Sequence, residues 1–128
     1  MVCWLEISVD FKSVPKGFYD VIFRMNIPTI SASNFDCVWT VKYTSCNGPA
    51  ELIFKHEKRD RLIASVVGGD WKLFNLGSIH IEKDGDCRIH LLGGNNHWFN
   101  DLELDYVQLR PIPEEHFDKE RKPVFIDS

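Results

Sequence analysis

Positions 95 to 101 hold the densest chemistry in this sequence. Asn95, Asn96, His97, Trp98, Asn100 and Asp101 bring amide, imidazole, indole and carboxylate groups into one short stretch. An indole face suits the C–H side of a sugar ring, while amides and carboxylates suit its hydroxyls. On that reading Trp98 is a stacking platform. Asn96 and His97 supply hydrogen bonds, and Asn100 and Asp101 are outer contacts. The competing reading is an indole that closes a β-domain core, since tryptophan is highly buried on average.

Other reactive groups are scattered. The histidines stand at 56, 80, 90, 97 and 116. His80 and His90 could meet across neighbouring strands, but zinc needs three or four ligands. Packing or surface placement is therefore expected, with no metal and no cofactor. The sequence has no Gly-x-Ser-x-Gly elbow, phosphate loop or His-Glu-x-x-His pair, the motifs that would announce local catalytic machinery. An enzyme would need His90 or His97 to converge with Asp86 in a cleft. Asp84 and Asp86 flank Gly85, where aspartate favours turns through local hydrogen bonds. Cys3, Cys37, Cys46 and Cys87 are widely and irregularly spaced, so free thiols are expected, and three of them lie in strand-like runs. The expected class is a binding module, not an enzyme.

The elements that must position these groups are strands. Leu5, Ile7, Val9 and Phe11 alternate with Trp4, Glu6, Ser8 and Asp10, the period of a half-buried strand. Tyr19, Val21, Phe23, Met25 and Ile27 repeat the pattern opposite Asp20, Arg24 and Asn26, and Pro28 ends it. Cys37, Trp39, Val41 and Tyr43 form a third apolar face before the turn Cys46-Asn47-Gly48-Pro49. Glu51–His56 and Leu62–Val67 read as two further strands. Trp71 to Ile81 reads as one strand with an irregularity near Leu76-Gly77. Lys83-Asp84-Gly85-Asp86 reads as a hairpin turn. Cys87 to Leu92 and Leu102 to Leu109 complete the set. Seven or eight short strands without an amphipathic helix predict an antiparallel β-sandwich or barrel. The segment 112–128 reads as a polar tail, extended over the surface or disordered, after a domain spanning 1–111.

The chain has 128 residues, a net charge of −4 and 44% hydrophobic residues. That is one domain with a core, without the basic field of a nucleic-acid binder. No stretch has the length of a membrane helix. A cytoplasmic or nuclear location is expected.

Several segments resemble one family in order. Val2-Cys3-Trp4-Leu5-Glu6-Ile7 is similar to the opening strand of the plant phloem protein 2 domain, the domain of tobacco agglutinin-like lectins. Gly17 to Ile27 resembles that family's second strand. Asp70-Trp71-Lys72-Leu73-Phe74-Asn75-Leu76-Gly77, then Lys83-Asp84-Gly85-Asp86 with Ile89 and Leu91, then Trp98 to Pro111 resemble its later motifs. The resemblance implies an all-β antiparallel sandwich of jelly-roll, carbohydrate-binding-module type. It implies recognition of N-acetylglucosamine oligomers or N-glycan cores on glycoproteins, and places the family's first binding carboxylate at Asp86. Family members often follow an F-box, which would add ubiquitin-ligase components as partners. A protein-recognition domain of that kind, without sugar binding, is the alternative. A homodimer would raise avidity for either partner.

Overall fold

The computed structural model describes residues 3–26, 39–56, 71–95, 103–118 and 124–126. They form β1 (Cys3–Val14), β2 (Gly17–Asn26), β3 (Trp39–Ser45), β4 (Glu51–His56), β5 (Trp71–Ile81), β6 (Gly85–Asn95), β7 (Glu103–Ile112), a short 3-10 turn at Glu114–His116, and β8 (Val124–Ile126). The expected strand Leu62–Val67 lies outside the described residues. Two antiparallel sheets result, ordered β1-β6-β3-β4 and β7-β2-β5-β8. They pack as a β-sandwich.

Alternation accounts for the core. Val21, Phe23 and Met25 of β2 face Val41 of β3 and Ile89 and Leu91 of β6 within one buried cluster. Phe74, Leu76, Ile79 and Ile81 enter it from β5. Removing such side chains from water stabilises the fold by about 1.5–3 kcal/mol each. The parity of β5 switches between Leu76 and Ile79, and the register with β2 shifts between Val21 and Ile22. This is the irregularity expected at Leu76-Gly77. Gly77 has φ of 148°, and a Cβ there would stand 3.3 Å from Ile53 Cγ2. Its N–H donates to the buried Asn75 Oδ1 at 3.1 Å. The bulge thus satisfies a buried amide and keeps apolar side chains inward on both sides of itself.

One expectation is corrected. Lys83–Asp86 does not close a hairpin, because β5 and β6 lie in opposite sheets. The turn is an arch from one sheet to the other, as is the turn between β1 and β2. β1 pairs with β6 and β2 pairs with β5, so the two arches lie side by side. The segment after Pro111 joins the sandwich. Phe117 packs on Phe18 at 4.9 Å between ring centroids, and Val124–Ile126 pairs with Leu73–Asn75 of β5.

Candidate functional site

Of the six residues expected at a sugar site, Asp86 alone is described. Asn96, His97, Trp98, Asn100 and Asp101 lie outside the described residues. Asp86 sits at the arch end of β6, nine residues from Asn95 at the other end of the strand. That is about 30 Å of extended chain. Its Oδ1 accepts the Ser13 N–H at 3.1 Å, and its Oδ2 accepts Lys12 Nζ at 3.3 Å. The Ser13 amide and then the Lys12 ammonium hold the carboxyl below its usual value. Asp84 accepts the Lys16 N–H at 2.7 Å, and the Tyr19 hydroxyl donates to the Pro15 carbonyl at 2.6 Å. Both acids therefore stitch one arch to the other, through bonds to a distant segment and not the local turn bonds expected of them.

Above Asp86, the outer face of the first sheet is polar. Arg88 grips Asp10 through two nitrogens at 2.5 and 3.3 Å. His90 bonds Ser8 Oγ at 3.3 Å through Nδ1 and Thr44 Oγ1 at 3.2 Å through Nε2. A shallow hollow of about 240 Å³ lies among these groups. Asp86 and His90 share that face four residues apart, about 13 Å along the strand, too far for a proton to pass directly between them. His80 is on β5 and His90 on β6, in opposite sheets. They do not meet across neighbouring strands. Among the described residues no group of three His, Cys, Asp or Glu could hold a metal ion.

The larger concavity opens on the side of the sandwich where β4 faces β5. Two adjoining hollows of about 370 and 310 Å³ share Tyr43, Glu51 and His80. Glu82 and Lys83 rim the first; Ser78 and Phe117 line the second. Tyr43 is 8% exposed. Burial first, and then its hydrogen bond to Glu51, push its phenol up, so the hydroxyl stays protonated as a donor. The His80 ring lies flat on Phe18, with centroids 4.3 Å apart and planes 8° apart, and Phe117 flanks both. Beside the cleft, β8 pairs with Leu73–Asn75 of β5. Among the described residues, the rest of β5 has no strand partner on that side.

No protein-family model, characterised protein or solved structure matches this chain. The cleft's chemistry must therefore be judged from its own groups. Two carboxylates, a phenol, a hydroxyl and an ammonium give acceptors and donors around a polar ligand. Phe117 and His80 give it ring surface, while Tyr43 keeps its ring in the core. Such mixed lining of a concavity is how small-molecule sites are usually built.

Sequence reasoning did not find this cleft. Tyr43, Glu51, His80 and Phe117 come from four separate segments, and no local spacing ties them together. The turn Cys46-Asn47-Gly48 was the nearest signal. Cys46 and Asn47 have φ of 50° and 60°, and Gly48 N–H donates to the Ser45 carbonyl at 2.8 Å. That turn brings Glu51 back beside Tyr43, its partner in the β3–β4 register.

Proposed function

We propose that this chain is a non-catalytic carbohydrate-binding module whose ligand occupies the cleft beside β4 and β5. N-acetylglucosamine oligomers and N-glycan cores are the ligands to test first. The observation that carries the reading is the pairing of aromatic walls with carboxylates in one open concavity. The Phe117 ring suits the C–H side of a pyranose, and Glu51 and Glu82 accept from its hydroxyls. Binding per site would be weak, because sugar hydroxyls exchange water bonds for protein bonds at about 1 kcal/mol each. The ordered resemblance to the phloem protein 2 domain supports the same class. Glycan-array screening, followed by titration with chitin oligomers, tests it. Glu51→Gln and His80→Ala are expected to weaken binding at least tenfold without unfolding the sandwich, while Asp86→Asn leaves affinity unchanged. A folded wild type that binds no glycan would sink the reading. Binding abolished by Trp98→Ala but indifferent to Glu51→Gln would move the site to the 95–101 stretch.

A second reading is a protein-recognition domain of an F-box-type ubiquitin ligase subunit. The outer face of the second sheet favours it. Trp71 is 38% exposed and Tyr106 42% exposed. Arg24 lies between them, its guanidinium 4.8 Å from the Trp71 ring centroid and its backbone opposite Tyr106 in the register. Aromatics and arginine are the residues enriched at protein interfaces. Loss of a polypeptide partner on Trp71→Ala and Tyr106→Ala, with glycan binding intact, would separate the two surfaces.

A further inference from the structure

Among the described residues β1, a 12-residue strand, pairs with β6 alone. Its pairing with β6 is regular from Cys3 to Phe11 and contains no proline. That leaves a row of backbone groups about 30 Å long on its other side. Proteins commonly blunt such edges with short length, proline or bulges. The other edges carry these devices: β4 has six residues, and β7 contains Pro111 and a register break near Arg24. β1 has the irregularity after Phe11 and the charges Glu6, Asp10 and Lys12, which two copies can pair with one another. Ile7 and Phe11 are partly exposed apolar residues at the rim of the core. Beside them an open apolar seam runs between Phe11 and Val107, Leu109 and Tyr106 of β7.

We propose that the free edge of β1 binds β1 of a second copy of this chain, antiparallel, about a two-fold axis at Val9. Two-fold pairing places residue i opposite the residue equally far on the other side of the axis. An axis at Ser8 would set Glu6 against Asp10, a like-charge clash made twice. The axis at Val9 sets Glu6 against Lys12 twice, Ser8 against Asp10, and Ile7 against Phe11. Lys12 is 73% exposed at its side chain, so it can reach the second copy's Glu6 from its place beside Asp86. Opposite charges and apolar pairs directly across a strand pair both stabilise it. The dimer joins the two first sheets into one eight-stranded sheet. Both clefts stay open at its outer flanks, about 40 Å apart by strand spacing. Where the cleft binds sugar, which rests on the function proposed above, the dimer would bridge two glycans rather than chelate one.

Sedimentation equilibrium of the full chain tests the pairing without any ligand. The wild type is expected to dimerise. Glu6→Lys and Lys12→Glu are each expected to raise the dissociation constant at least tenfold, and the double variant to restore it. Circular dichroism confirms that the exposed substitutions leave the fold intact. Amides on the outer side of Ile7–Phe11 should exchange more slowly as protein concentration rises. A wild type that stays monomeric at all accessible concentrations would overturn the proposal, as would a dimer indifferent to both single variants.

Discussion

The arch end and the open side of this sandwich hold the same kinds of group and use them differently. At the arch end, Asp84 and Asp86 accept backbone N–H groups of the neighbouring arch. Their lone pairs are engaged in holding two sheet crossings together. On the open side, Glu51 bonds a buried phenol while facing a concavity with His80. In sequence a carboxylate beside a turn glycine reads first as a turn residue. What decides is whether unpaired backbone donors of a distant segment lie within reach.

The sharpest way to break the arch end is Gly85→Ala, which presses on Cys46 at the rim of the cleft. A Cβ there would stand 2.6 Å from Cys46 Sγ. Overpacking of this kind costs about 1–3 kcal/mol, and Cys46→Ala should recover part of it. Chemical denaturation of the two variants checks this. Any change in glycan affinity of the folded fraction should be smaller than that of Glu51→Gln.

Tyr43→Phe probes the cleft in the opposite sense. It removes one hydrogen bond, worth about 1 kcal/mol, and keeps the ring that fills the core. Ligand affinity is expected to fall several-fold in calorimetric titration while the thermal midpoint moves by only a few degrees.

Acid tests the paired carboxylates on the outer face of the first sheet. Asp86 and Asp10 are held below 3.8, their ordinary value, by Ser13 with Lys12 and by Arg88 respectively. A depressed carboxyl stabilises the fold above its unfolded value, and that contribution is lost as pH falls through the folded one. The wild type should therefore lose thermal stability below about pH 3.8. Asp86→Asn should start less stable at neutral pH and show a shallower acid limb.

The smallest effect concerns thiols at the border of the two regions. Cys46 is exposed and Cys87 buried. Burial pushes the Cys87 thiol up from 9.0 to about 11, which cuts its thiolate fraction at neutral pH about a hundredfold. Alkylation mapped by mass spectrometry should label Cys46 in the native state and Cys87 only after denaturation.

Much of the fold is legible in the sequence. The alternation in β2 placed Tyr19, Val21, Phe23 and Met25 on the buried side, and the mismatch at Leu76-Gly77 located the bulge in β5. Asp84 and Asp86 were readable as turn residues. The function of the 83–86 turn was misread, because a hairpin and an arch ask for the same glycine and aspartate chemistry. The cleft was invisible, since its residues are neighbours only across sheets.

Local periodicity thus determined most of the core face, because side chains alternate along a regular strand; it failed at the β5 bulge and at Asp20 and Ile22, which are buried on the other face of β2. Only the tertiary structure decided which strands share a sheet. That choice depends on burying both inner faces at once, and no segment carries it alone. It sent β5 and β6 to opposite sheets, put Asp86 to work on the Ser13 amide, and opened the side where Tyr43, Glu51, His80 and Phe117 meet.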